Sequence, residues 1–427
     1  MTTVIIVALL ALLLLGAPIF AVILAATMVG FVSGAVDLSA IAVELYRIID
    51  TPLLVSLPFF TLAGYLLSES RASERLLQLT RGLVGWVPNG LAIVVLIACA
   101  LFTAFTGASG VTILALGALL YPALIETGYK EKFSLGLVTT SGSLGLLLPP
   151  SVPLILYGII MQQMNMGGEY SFEQIFSAGL MPALLMIVLL GLWIFWVNRH
   201  NPIATTAFSG KQVLHAMWCA KWELPLPLIV LIGIFSGVLA VSEVAAVTAF
   251  YVLIVEVFVY REIAIKQLPQ IVANAMTMVG GIILILGSSM AFTNYLIDAE
   301  VPVNILEWIK SYVDSKLTFL LLLNIFLLVL GAVLDIFSAL VIVVPLILPI
   351  AISYGIHPLH LGVIFLANMQ IGYFTPPVGM NLFIASYRFN RSIIDLYRAS
   401  IPFMIVLLIA VLIITYWPAL TLFLIDT

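Results

Sequence analysis

Apolar residues occupy this chain in long continuous runs broken by short polar stretches, with none of the strict alternation that a membrane β-barrel requires. A bilayer core needs about 20 predominantly apolar residues per spanning helix. On that measure the pattern predicts membrane segments at about 2–16, 18–33, 51–70, 133–163, 176–197, 224–240, 244–260, 271–296, 361–386 and 400–425. Two further apolar stretches, 88–125 and 317–350, are too long for one span and carry polar or glycine-marked midpoints. They read as re-entrant hairpins that enter and leave on one side. Ahead of each lies an amphipathic stretch, Ser68–Leu83 and Val301–Leu317, expected as an interfacial arm.

Two of the apolar runs contain proline pairs: "GLLLPPSVPLILYG" around Pro149 and Pro150, and "IGYFTPPVGMNLFIAS" around Pro376 and Pro377. Proline lacks the N–H that bonds four residues back, and its ring crowds that carbonyl. The carbonyls of Gly145, Leu146, Gly372 and Tyr373 are therefore expected to be freed. In hydrocarbon a free carbonyl costs several kcal/mol unless protein, water or an ion satisfies it. At a fixed offset of 227 residues Pro122 falls on Pro349, Gly128 on Gly355, Gly145 on Gly372, and each proline pair on the other. Helix breakers repeating at one offset argue against incidental kinks and for an internal repeat.

Composition narrows the class. The chain has 427 residues, 63% hydrophobic and 8% charged, with mean hydropathy +1.25; soluble domains carry roughly 25% charged residues. Cys99 and Cys219 lie far apart and suggest neither a disulfide framework nor a metal site. The first charged residue is Asp37, so no signal peptide is expected and the N-terminus itself reads as a membrane segment. Basic residues favour cytoplasmic loops. With both hairpins re-entrant, 13 of the 16 Lys and Arg residues fall on one side, and only Arg47, Lys310 and Lys316 fall opposite. The two repeats then have opposite orientations. The predicted fold class is an all-α polytopic membrane protein with inverted repeats, two re-entrant helical hairpins and two discontinuous helices. That layout is the mark of a secondary transporter, with cations at freed carbonyls and anions at helix N-termini.

The first hairpin tip, "FTAFTGASGVT", offers Thr103, Thr106, Gly107, Ser109, Gly110 and Thr112 for close approach to an ion or carboxylate. The second, "GAVLDIFS", carries Asp335, the only acid between Asp314 and Asp395. An acid at that depth reads either as a cation ligand or as a helix cap. The expected pathway has no Lys or Arg, so an anion would be held by hydroxyls, backbone N–H groups and helix dipoles. His357 and His360 lack a third ligand, and Glu256 reads as structural. No phosphate-binding loop or catalytic constellation appears, which excludes ATP-driven transport by this chain and argues against an enzyme. A channel would need a continuous polar pore, which is also missing.

"LPFFTLAGYLL", "TGASGVTILALGALLYPAL", "GLLLPPSVPLILYG", "SGVLAVSEVAAV" and "HLGVIFLANMQIGYFTPPVGMNLFIAS" together resemble the large membrane subunit of tripartite ATP-independent periplasmic (TRAP) transporters, over essentially the whole chain. The resemblance implies an elevator-type fold and Na⁺-coupled uptake of an organic acid across the bacterial inner membrane. It also implies a separate small four-helix membrane subunit and a periplasmic substrate-binding protein as partners. Divided accordingly, 1–85 holds scaffold helices and the first arm, 86–165 transport repeat 1, and 166–270 scaffold helices. Residues 271–316 hold a scaffold helix and the second arm, 317–387 transport repeat 2, and 388–427 the C-terminal helix.

Carried over residue by residue, Thr106, Gly107, Ser109, Gly145, Leu146 and Pro149 resemble one Na⁺ site. Gly331, Asp335, Gly372, Tyr373, Thr375 and Gly379 resemble the other. Thr106, Ser109, Ser151 and Asn381 match substrate-binding positions. Many relatives place an acid after the first tip where this chain has Ala108-Ser109-Gly110-Val111-Thr112, so hydroxyls and carbonyls must serve the first site. The form "TGASGVTI" is most similar to sialic-acid members, which implies N-acetylneuraminate as substrate. A stand-alone Na⁺/dicarboxylate symporter of similar fold is the nearest alternative.

Overall fold

A computed structural model describes residues 8–9, 11–12, 15–34, 36–49, 52–164, 170–199, 209–236, 238–376 and 378–425. The expected span at 2–16 therefore lies largely outside the described residues, as does Pro377 of the second proline pair. Every regular element among the described residues is helical. In order these are α1 (Ile19–Ser33), α2 (Ser39–Ile49), α3 (Ser56–Glu69), α4 (Ala72–Val84), α5 (Gly90–Thr106), α6 (Ser109–Ala115) and α7 (Gly117–Glu126). Then follow α8 (Glu131–Ser141), α9 (Val152–Met164), α10 (Phe172–Asn198), α11 (Gly210–Cys219), α12 (Pro225–Phe235), α13 (Val241–Leu253) and α14 (Leu268–Asp298). The chain closes with α15 (Val301–Tyr312), α16 (Lys316–Val333), α17 (Ile336–Ser353), α18 (Pro358–Gly372), α19 (Met380–Phe389), α20 (Ile393–Tyr416) and α21 (Ala419–Leu422). Among the described residues seven helices or continuous pairs are long and apolar enough to cross a bilayer; α6 and α7, bent by 52°, form an eighth candidate span.

Local chemistry sets many of the ends. Ser171 opens α10 with a reciprocal cap, its hydroxyl accepting from the Gln174 N–H while its own N–H donates to Gln174 Oε1. Ser209, Ser315 and Ser392 accept N–H bonds at the starts of α11, α16 and α20. The amphipathic helices α2 and α11 lie where no element was expected. They are too short and polar to register as spans.

The repeat is present in three dimensions at the same offset. The ends of α5 and α16, the starts of α6 and α17, the ends of α7 and α17, and the starts of α8 and α18 all correspond. Gly128 and Gly355 turn the chain at φ +98° and +70°. In the first turn Gly128 N–H donates to Ile125 and Tyr129 N–H to Leu124; in the second, Gly355 donates to Ile352 and Ile356 to Ala351. Where the two repeats meet, Ser143 donates its hydroxyl to the carbonyl of its repeat mate Gln370 at 3.2 Å.

The helices pack as two groups. One sets α3 against α13 and lays the long α14 across α1, α2 and α3. The other sets α16 and α17 on α18, and α20 on α8. Helix α10, in the 166–270 stretch, packs on α20, α18, α5 and the segment Leu144–Leu147, and Met186 on it accepts from Gln370 Nε2. Its apolar face, with Phe176, Leu190 and Ile194 fully buried, is covered by the broken helices.

A buried ion cluster ties α4 to the first group. Arg75 pairs with Glu223, with Glu262 and with Glu256 (3.2 Å), and lies 3.9 Å from the Tyr260 ring centre. Glu256 sits in the π-helical turn Ile254–Val259 that ends the α13 span. Burial alone would lower the Arg75 pKa, but the surrounding carboxylates outweigh it and keep the guanidinium charged. Burial pushes the Glu223 carboxyl above the usual carboxylate range, against the pull of Arg75. Replacing Arg75 with Ala leaves three acids without their cation and should cost about 3–5 kcal/mol, read as a lowered Tm in detergent. Adding Glu256→Gln should restore part of it. Because the Glu223 pKa is raised by folding, its contribution to stability is present at low pH and lost as pH rises through the raised value. Glu223→Gln should flatten the stability–pH curve across that window.

Candidate functional site

Both breaks re-pair the carbonyls that their prolines were expected to free. At the first, Leu144–Leu147 tightens into a 3₁₀ turn, the Gly145 carbonyl accepts from Leu148 N–H at 3.0 Å, and the Leu146 carbonyl accepts from Ser151 Oγ. A cis bond joins Pro149 to Pro150. At the second, the Gly372 carbonyl accepts from Thr375 N–H and the Tyr373 carbonyl from Asn381 N–H, both at 2.9 Å. Each carbonyl keeps one further lone pair.

Helices also approach closely at the breaks. A Cβ on Gly145 would stand 2.2 Å from the Ala100 carbonyl oxygen, and one on Gly372 would stand 2.5 Å from Gly331 Cα. Ala104, whose N–H also lies against Gly145, is the repeat mate of Gly331. Both repeats thus press a hairpin helix onto a glycine at the break.

At the first tip the chain doubles back at Gly107 (φ +65°). Thr103 and Thr112 face each other across the turn at 2.6 Å, and Thr103 donates to the Gly142 carbonyl at 2.8 Å. At the second tip Asp335 caps α17: Oδ1 accepts from the N–H groups of Phe337 and Ser338 (both 3.0 Å), and Oδ2 from the Ser338 hydroxyl. The capping reading of Asp335 is thus realised. Tyr373 Oη accepts from Ile336 N–H at 2.8 Å, and Gly379 N–H donates to the Ala332 carbonyl. The segment after the second break is held between both tips, because Ser109 Oγ donates to Asn381 Oδ1 at 2.8 Å.

Of the expected substrate residues, then, Ser109 and Asn381 meet although 272 positions separate them. Asn381 is fully buried and its Nδ2 has no partner. Thr106 and Ser151 turn elsewhere, Thr106 toward the Ala108 carbonyl (3.4 Å) and Ser151 onto Leu146. In the first expected cation set, Gly107 abuts Val152 just past the break, while Gly145 lies on α5. In the second, Gly331 and Gly372 touch, and the Thr375 hydroxyl donates back to the Ile371 carbonyl at 2.8 Å. A small apolar cavity of about 150 Å³, lined by Gly331, Ala332, Leu334, Val378, Met380 and Phe383, adjoins the second tip.

Sequence reasoning passed over the polar run "TTSGS" (Thr139–Ser143), which leads into the first break with Thr139 and Ser141 hydroxyls buried and unpartnered. Its polarity within an apolar helix was the available signal. Also missed was a buried triad, Asn324 Oδ1 accepting from Asn368 Nδ2 (2.6 Å) and Thr415 (3.1 Å). His360 sits buried between Thr421 and the Thr415 carbonyl, and His357 meets Tyr170. No group of three metal-ligating side chains occurs among the described residues.

Residues 6–420 match the model of the family described as "Tripartite ATP-independent periplasmic transporter, DctM component". The chain belongs to this family. It is 33% identical over 384 residues to a C4-dicarboxylate TRAP transporter large permease protein DctM of Pseudomonas aeruginosa, covering 90% of this chain and 88% of that one. It is likewise 33% identical over 393 residues to the isethionate TRAP transporter permease protein DctMQ of Oleidesulfovibrio alaskensis, covering 92% of this chain but 61% of that longer protein. The crystal structure of the Alcanivorax borkumensis YdaH transporter shares the fold at a TM-score of 0.64 and 15% identity, covering 89% of this chain and 88% of that one. This DctM-family chain is therefore a multi-pass transporter component of the bacterial inner membrane.

Its fold makes the glycines at the breaks a point of low tolerance. Gly145→Ala should lower stability by about 1–3 kcal/mol through overpacking, whereas Gly280→Ala, inside α14 with nothing within 4 Å of its Cβ, should leave the Tm unlowered or raise it slightly.

Proposed function

We propose that this DctM-family chain is the large membrane subunit of a Na⁺-coupled importer of organic anions, working with a small four-helix membrane subunit and a periplasmic substrate-binding protein. The carrying observation is the buried Ser109–Asn381 contact, which joins the first tip to the helix after the second break. It leaves an amide donor unpartnered, in a region whose tips and breaks contain no Lys or Arg. A carboxylate oxygen accepting from Asn381 Nδ2 would satisfy that donor without a permanent countercharge, which suits a site that must release its cargo.

Na⁺ enters this reading as a co-transported substrate. The remaining lone pairs at Gly145, Leu146, Gly372 and Tyr373, with the tip hydroxyls of Thr106 and Ser109 and the Asp335 carboxylate, are ligands of the hard-oxygen type that Na⁺ takes. The moving body of an elevator would comprise α5–α10 and α16–α20. That grouping follows the packing of α10 and α20 on the broken helices.

For the cargo, "TGASGVTI" favours N-acetylneuraminate. The P. aeruginosa relative is named for C4-dicarboxylates and the O. alaskensis one for isethionate, which favours a smaller dianion or sulfonate as the second reading. The test is uptake of each labelled compound into proteoliposomes containing the two membrane subunits, with and without an inward Na⁺ gradient and the periplasmic protein. Uptake is expected only with both. Uptake driven by Na⁺ without the binding protein would support a stand-alone symporter instead. Ser109→Ala or Asn381→Ala should raise KM about 5- to 150-fold, the equivalent of about 1–3 kcal/mol for leaving a buried polar group unsatisfied. Asn381→Asp should be worse than Asn381→Ala, since it sets a negative charge against an anion; equal KM for all three proteins would sink the site assignment.

A further inference from the structure

Outside the repeats, a cavity lies between α4 and α11, on the side of the molecule rich in Lys and Arg. It measures about 640 Å³ and is lined by Gln78, Arg81, Lys211, Gln212 and His215, with Gly82 and Ala216 also in its wall. Its lining contains no acid, and neither Arg81 nor Lys211 forms an ion pair among the described residues. The two cations come from different helices and face one space. The two helices adjoin at Gly82, where a Cβ would stand in ordinary contact, 3.5 Å from Val213 Cα. Buried Leu79, Ala216 and Ala220 form one apolar cluster between the same two helices, and Ala216 also lines the cavity.

Its surroundings mark the level of a membrane interface. Leu214, Trp218 and Trp222 on or just after α11, and Trp86 after α4, are exposed; Lys221 lies over the Trp218 ring at 4.1 Å. Exposed tryptophans beside lysines are the usual companions of lipid headgroups, and basic clefts on this side of membrane proteins take anionic headgroups. Arginine supplies a planar fork to phosphate oxygens, lysine a point charge, and the two glutamine amides neutral donors.

We infer that the α4–α11 cleft binds a phosphate-bearing anion, with the headgroup of an anionic phospholipid as its source. The site differs from the repeat region in place and chemistry. The bound headgroup would fasten α11 to α4, the arm that carries Arg75 and leads into the first hairpin.

The test is native mass spectrometry of the full-length chain titrated with phosphatidylglycerol or phosphatidylcholine. The wild type should retain phosphatidylglycerol about tenfold or more tightly than the Arg81→Gln/Lys211→Gln variant. Phosphatidylcholine should bind both proteins equally and weakly. The charge-keeping Arg81→Lys/Lys211→Arg variant should retain the lipid, which separates loss of the site from damage to the fold. Displacement of phosphatidylglycerol by millimolar inorganic phosphate, with the same dependence on Arg81 and Lys211, would support the phosphate site while moving its source to the soluble anion. Equal retention of phosphatidylglycerol by wild type and the Gln variant would overturn the proposal.

Discussion

A peptide carbonyl in hydrocarbon must find a partner, and the architecture of this protein follows from meeting that demand where two helices are deliberately broken. Proline pairs remove donors from Gly145, Leu146, Gly372 and Tyr373. The replacements are a 3₁₀ turn at Gly145, a serine side chain at Leu146, a turn N–H at Gly372, and the N–H of Asn381 at Tyr373. With these four pairings the broken helices are satisfied in the middle of an apolar body. The segments that provide them also contact the hairpin tips, Asn381 at Ser109 and Tyr373 at Ile336.

The repeat makes this economical. One offset places glycine against a hairpin helix, a left-handed glycine in the turn, and coincident helix ends in both halves. The halves diverge where chemistry is distinct. Asp335 caps α17, whereas its repeat mate Ala108 precedes α6 and contributes no side-chain oxygen. Asn381 reaches Ser109, whereas its counterpart Leu154 is part of the apolar core. The Ser109–Asn381 contact is thus formed by one residue from each half, at positions whose repeat mates carry different chemistry.

Around this centre the arms are secured differently. Helix α4 is held by charge, its Arg75 enclosed by three glutamates and a tyrosine ring. Helix α15 is held by apolar contact, with Ile305, Ile309 and Tyr312 facing Phe319, Leu323 and Ile347 across a groove. An ion cluster in a low-dielectric setting is intolerant of losing a member, whereas apolar contact can slide. The two arms are therefore held by different kinds of contact.

The linear order of residues by itself determined the class, the helices, the two hairpins, the arms and the offset of the repeat. Each depends on local properties: the length of an apolar run, the position of a proline or glycine, an amphipathic period. It also singled out Ser109, Gly145, Gly372 and Asp335 as unusual for their surroundings, whereas Asn381 came from the family resemblance. Short amphipathic helices such as α2 and α11 escaped because their sequences carry neither a span's hydropathy nor a breaker. Tertiary structure alone decided which partner each broken carbonyl takes, that Ser109 meets Asn381 while Ser151 turns back to Leu146, and that α10 packs with the broken helices. A hydrogen bond between residues 272 positions apart depends on how every intervening helix packs, and no local pattern encodes that sum.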